Sequence, residues 1–208
     1  MEQPAEKRSD RKRRLILEAA STVFLDRGYN GTTMDEVATL AGVSKPTLYR
    51  HFTDKERLYA AIIQLTADDV DKVIQLVAGS LADASHPREA LQGLARKLVT
   101  ALMQPELLRL RRLVIANAER FPEVARAWFA QGFERVLATL AASFERYAQR
   151  GLLKVDDPLL AANHFTGLLL WIPLNRAMFT GDHASDPAEL ERYANAAVDA
   201  FLSGYASR

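Results

Sequence analysis

The chain has 208 residues, 49% of them hydrophobic, with 27 basic side chains against 26 acidic ones and a formal net charge of +1. Such a length and apolar fraction make one or two folded domains and exclude disorder over most of the chain, while the near-balance of charge excludes a protein that coats nucleic acid through bulk positive charge. The absence of cysteine excludes disulfides, thiolate metal sites and thiol redox sensing, and no apolar run approaches the ~20 residues of a membrane span.

The chain begins MEQPAEKRSDRKRR, with six basic and three acidic side chains in residues 1–14. No apolar run follows, so this does not read as a secretory signal, and the expected compartment is the cytoplasm. The basic arm Arg11–Arg14 would reach phosphates or a minor groove, or stay solvated. A first helix is expected over 10–27, ended by Gly28. Two short helices follow over 33–40 and 45–51. Thr33 with Glu36 reads as a capping box, Val37, Ala38 and Ala41 as one apolar face, and Gly42 as the left-handed residue that ends the helix. Ser44 would cap the second, whose buried face is Leu48 and Phe52. Two short helices joined by a tight glycine turn describe a helix-turn-helix. With Leu48 and Phe52 inward, Lys45, Thr47, Tyr49, Arg50 and His51 are left to face outward, on a helix about 10 Å long that fits a major groove ~12 Å wide. The same pattern taken alone also fits a helical hairpin with a solvated face.

The order of residues decides between the two. ILEAASTVFLDRGYNGTTM, DEVATLAGVSKPTLYRHF and TDKERLYAAI, over about residues 13–63, closely resemble the TetR family of transcriptional regulators. The resemblance implies that Thr33 contacts a phosphate, that Lys45, Thr47, Tyr49 and His51 lie in or beside the groove, and that Lys55 holds a backbone phosphate. Arg50 is included as a base or phosphate contact. Pro46 stands where other members often carry a residue with an N–H, which removes one donor to phosphate.

The remaining helices are expected over 54–78, 87–103, 105–120, 122–149, 157–180 and 187–203, making about nine in an all-α chain. Thr53 with Glu56 would cap the fourth, which would run from one domain into the next. Asp157-Pro158 and Asp186-Pro187 are clear helix starts. Residues 1–53 would form the arm and DNA-binding domain, and 54–208 a helical ligand-binding and dimerisation domain. The segment from Leu107 to Gly181 resembles the C-terminal domain of AefR-like members of the family, which implies ligand sensing and dimerisation.

Trp128, Phe129, Phe133, Phe165, Leu168 and Trp171 would line a ligand pocket, with Asn117, His164 and Asn175 as its few polar groups. An aromatic stripe at helical spacing equally fits an ordinary core. The helix over 157–180 is apolar around most of its circumference, so both sides must be buried and one needs a partner. Thr166, Leu170 and Ala177, with Tyr193, Ala197 and Phe201 of the last helix, are assigned to the dimer seam. Pro173 should kink the helix. His51, His86, His164 and His183 show no metal-ligand spacing, and no cofactor or catalytic motif is present. The expectation is a homodimeric repressor on a palindromic double-stranded operator, released by a lipophilic ligand. The alternative is a constitutive or protein-regulated DNA-binding dimer without a small-molecule inducer.

Overall fold

The computed structural model describes residues 8–65, 67–82, 86–181 and 186–207; His183 and the first residues of the arm lie outside them. Among the described residues every regular element is helical, apart from an isolated antiparallel bridge between Leu153 and Ala206. The chain divides into two units. One comprises the residues up to Thr66 together with Arg109–Arg126, the other Ala67–Leu108 and Ala127–Arg208.

The first unit begins with α1 (Arg8–Gly31), which buries Ile16, Ala20, Val23 and Phe24 at helical spacing. Gly28, at φ 67° and ψ 179°, breaks its last turn, a backbone conformation essentially confined to glycine. Next come α2 (Met34–Leu40), α3 (Lys45–His51) and α4 (Lys55–Gln64). Thr33 caps α2 by accepting from the Glu36 amide at 3.3 Å. Glu36 does not close the expected box, because its carboxylate pairs with Arg27 at 2.6 Å. α2 ends in a Schellman turn: Val43 N donates to Ala38 O at 3.0 Å and Gly42 N to Thr39 O at 3.2 Å, with Gly42 at φ 63°. α4 is capped by Asp54, which accepts from the Arg57 amide at 2.7 Å, rather than by the expected Thr53.

The first unit runs past residue 53, where the sequence places the boundary, to Thr66. Leu58, Tyr59, Ile62 and Ile63 of α4 are buried, and Tyr59 meets Phe24 and Tyr29 of α1 at ring-centroid distances of 5.8 and 5.4 Å. The expected long helix over 54–78 is two helices, since α4 ends at Gln64 and α5 (Ala67–Ser80) starts anew. The same unit takes in the end of α7 (Pro105–Ala116) and the start of α8 (Pro122–Phe129). Between them Phe121 lies 4.8 Å from Tyr29 and 5.2 Å from Tyr59.

The second unit packs α5 against α6 (Pro87–Leu102) and α9 (Arg135–Gln149), α10 (Pro158–Thr180) against α9 and α11 (Pro187–Tyr205), and α11 against α6. A π-helical turn, Ala130–Glu134, joins α8 to α9 inside what the periodicity predicts as one helix. The core centres on Phe144 of α9, Phe165 of α10 and Phe201 of α11, whose centroids lie 5.1–5.8 Å apart. Asp157 and Asp186 cap α10 and α11, each accepting a backbone N–H at 2.9 Å. Pro173 sits buried inside α10 without ending it.

Candidate nucleic-acid interface

α3 has seven residues, so its sides separate cleanly. Thr47, Leu48 and His51 fall at i, i+1 and i+4 on the inner side; Lys45, Pro46, Tyr49 and Arg50 take the outer one. The structure therefore corrects two outward assignments. Thr47 is only 9% exposed, its Oγ1 lies 2.8 Å from the Ser44 Oγ, and its amide donates to that oxygen at 3.4 Å. His51 is half-buried, and its Nε2 is buried with no hydrogen-bond partner among the described residues. Tyr49 and Arg50 are exposed. Lys45 is exposed too, but its Nζ lies 2.5 Å from the Asp35 carboxylate of α2. Thr33, at the start of α2, is exposed and keeps its hydroxyl proton for a partner while the oxygen caps the helix.

Lys55 is engaged inside the unit. Its Nζ donates to Tyr29 O and Thr32 O, both at 2.9 Å, and sits 4.5 Å from the Tyr29 ring centroid. It closes carbonyls at the end of α1, as cationic side chains do at helix C-termini. Burial, aided by the neighbouring charge of Arg120, holds its pKa below the ordinary lysine value. Lys55, expected to hold a backbone phosphate, thus also ties the start of α4 to the end of α1, with two of its three N–H donors engaged. Sequence reasoning missed Asp35 and the stacking of Arg13 on Phe52, 5.5 Å from guanidinium carbon to ring centroid. Nothing in periodicity marks either contact.

The residues assigned to a ligand pocket differ in their surroundings. Trp128, Phe129 and Phe133 do meet around the π-helical turn, with centroids 5.6 Å apart for Trp128–Phe133 and 5.4 Å for Phe129–Phe133. Asn117 belongs to the other unit and donates its amide to Leu113 O at 2.8 Å. Phe165 is core, filled around by Phe144 and Phe201. Leu168 and Trp171 are exposed, Trp171 by 72%. His164 is exposed with Nδ1 2.7 Å from the Tyr205 hydroxyl, and Asn175 donates to Trp171 O at 2.7 Å.

The two faces of α10 are the reverse of the sequence assignment. Leu170 and Ala177, with Ala197 and Phe201 of α11, are buried within the single chain, so they are not available to a dimer seam. Thr166 is half-buried with its hydroxyl on Ala162 O at 2.9 Å, and Tyr193 is half-buried with its hydroxyl donating to Glu189 at 2.7 Å. The outward face instead carries Leu160, Leu168, Trp171, Ile172 and Phe179, the last 87% exposed. Among the described residues no helix is long and apolar enough to cross a membrane.

Residues 16–62 match the family described as bacterial regulatory proteins, tetR family, and residues 89–207 match the C-terminal domain of AefR-like transcriptional repressors. The HTH-type transcriptional activator FasR of Mycolicibacterium smegmatis is 45% identical over 83 residues, 40% of this chain and 36% of FasR, so the match spans about a third of that relative's length. The uncharacterized HTH-type transcriptional regulator YhgD of Bacillus subtilis is 33% identical over 167 residues, 79% of this chain and 82% of YhgD. A crystal structure assigned to the TetR family, from Mesorhizobium loti MAFF303099, is 51% identical, covers 97% of this chain and 100% of its own, and superposes with a TM-score of 0.89. The flavonoid-responsive regulator FrrA is 28% identical over 95% of this chain and 98% of its own, with a TM-score of 0.71.

Proposed function

Because the chain belongs to the TetR family of bacterial transcriptional regulators, we propose that this DNA-binding regulator is a homodimeric repressor, released from a palindromic operator by a lipophilic small molecule. The outward set of α3 carries the DNA-binding part of the reading. Tyr49 and Arg50 face out beside Lys45 on a helix that is about 10 Å long and fits a major groove. Thr33 would hold a phosphate, while His51, Thr47 and Lys55 support the helices from behind. The test is fluorescence anisotropy with a duplex that the protein selects from a random library. Tyr49→Ala should weaken that duplex at least tenfold with an unchanged melting temperature, and unchanged affinity would refute the assignment.

The dimer is proposed to form through the outward face of α10. An exposed apolar ladder of Leu160, Leu168, Trp171, Ile172 and Phe179 on one helix is what an interface core supplies and a monomer surface avoids. A twofold pair would place its recognition helices about 34–36 Å apart, one turn of DNA. A lipophilic inducer is supported by the match to AefR-like repressors, by the flavonoid-responsive relative and by the Trp128, Phe129 and Phe133 cluster. Apigenin and lauric acid, a planar and an alkyl probe, test it through duplex release and tryptophan fluorescence. One observation favours the alternative of a dimer without a small-molecule inducer: Phe165, expected to wall a pocket, is packed core. Fluorescence quenching by either probe without release of the duplex would also speak for that alternative.

A further inference from the structure

On the outer side of α3, Lys45, Tyr49 and Arg50 are the groups able to donate hydrogen bonds to DNA. Among the described residues Lys45 has a counter-charge, the Asp35 carboxylate 2.5 Å from its Nζ. Asp35 is the second residue of α2 and Lys45 the first of α3, so the pair bridges the two helices across the Gly42 turn. Capping does not account for the carboxylate, because Thr33 caps α2. The neighbouring acid, Glu36, is taken up by Arg27. Both partners of the bridge are more than half exposed, at 56% and 61% of their side-chain surface, so the pair stands at the surface that would meet DNA.

A lysine alone is a flexible point charge that joins any phosphate, and phosphate contacts carry no sequence information. A carboxylate alone repels every phosphate. Held together they present a donor beside an acceptor. That pattern complements the major-groove edge of one G·C pair, where guanine O6 and N7 accept and cytosine N4 donates.

We propose that Asp35 and Lys45 act as one specificity-determining pair that reads a G·C base pair in each half-site, Asp35 being the residue that keeps Lys45 from generic phosphate contact. This rests on the reading of α3 as the DNA-contacting helix. The test compares the wild-type protein with Asp35→Asn, Asp35→Ala and Lys45→Gln by selection from a random duplex library. Anisotropy titrations over a salt series follow, on the wild-type-selected duplex and on a scrambled one of equal composition. Far-UV circular dichroism melting confirms that each variant folds.

The expected result has four parts. Wild type selects a G·C pair at one symmetric position. Both Asp35 variants lose that preference, with the discrimination ratio between the two duplexes falling about five- to tenfold, the scale of one base contact. Their log–log salt slope on the scrambled duplex steepens by about 0.9, as the freed lysine neutralises one further phosphate. In the Lys45→Gln background the Asp35 substitution tightens both duplexes equally, by removing an unpaired carboxylate, and no longer changes the discrimination ratio. The proposal is overturned if the Asp35 variants select the wild-type sequence, or tighten both duplexes equally, which is simple charge removal. If Lys45→Gln and Tyr49→Ala both bind the selected duplex as wild type does, the α3 reading fails, and this proposal with it.

Discussion

Lys55 is a cation occupied before any partner arrives. Two carbonyl bonds and the Tyr29 ring hold it, and hydrogen bonds from a charged donor contribute about 1.5–3 kcal/mol each at most. Lys55→Ala should therefore lower the melting temperature clearly, before any question of DNA affinity. An unchanged melting temperature with lost DNA binding would favour the phosphate role. Asp54 acts at the neighbouring helix start. The Arg57 amide, foremost, and then the Thr53 hydroxyl hold its carboxyl below its ordinary value of 3.8. A lowered folded-state pKa means the contribution is fully present above 3.8 and is lost as pH falls through the folded value. Asp54→Ala should cost about 1 kcal/mol at neutral pH, and its deficit against wild type should shrink in urea titrations run below pH 3.8. Tyr147 is the opposite case, a fully buried hydroxyl with no hydrogen-bond partner among the described residues; burial pushes its pKa up. Tyr147→Phe keeps the ring and removes the unpaired group, so chemical denaturation should find it as stable as wild type or more so, by about 1 kcal/mol. A marked loss of stability would mean that the hydroxyl has a partner.

Among the elements, α2 and α3 are readable because most of their apolar residues occupy one side, Leu40 and Tyr49 being the exposed exceptions. Val37, Ala38, Leu48 and Phe52 are buried as their spacing requires, and Gly42 supplies the left-handed turn. Thr47 is easily misread because a hydroxyl fits either side of a short helix. Its hydroxyl turns back to the Ser44 hydroxyl three residues earlier, at the cap of the same helix, a local contact that periodicity does not register. α10 is unreadable for the reverse reason: it is apolar on every side, so spacing cannot say which stripe faces the core. The decision lies in long-range packing, where Phe165 fits between Phe144 and Phe201. The break between α4 and α5 has no glycine or proline to announce it, and a π-helical turn has no residue signature at all. The outward stripe gives a test at this scale. Trp171→Glu should shift the proposed dimer to monomer in sedimentation velocity at micromolar concentration while leaving its helical content unchanged. Phe201→Glu should instead unfold the second unit, since that ring is buried in the chain's own core.

For the whole molecule, the proposed regulation is a coupling between two bound partners. If an inducer weakens operator affinity by a factor in the usual range of about 5–150, operator must weaken inducer affinity by the same factor. Calorimetric titration of apigenin into free and duplex-bound protein reads that factor directly. Equal affinities would leave the regulator without a small-molecule switch.

Arg109–Arg126 gives the molecule one more property. Phe121 lies against Tyr29 and Tyr59, and the Arg120 guanidinium sits over the Tyr29 and Phe121 rings, 4.6 and 5.2 Å from their centroids. A contiguous fragment of residues 1–66 would lack both side chains and expose the aromatic wall they cover, at a cost of about 3–5 kcal/mol for the missing phenylalanine alone. Modular exchange is constrained accordingly. A chimera that grafts this reader onto a foreign sensor must bring its own counterpart of Arg120 and Phe121, so sensors transplant only as sets that already carry the matching plug.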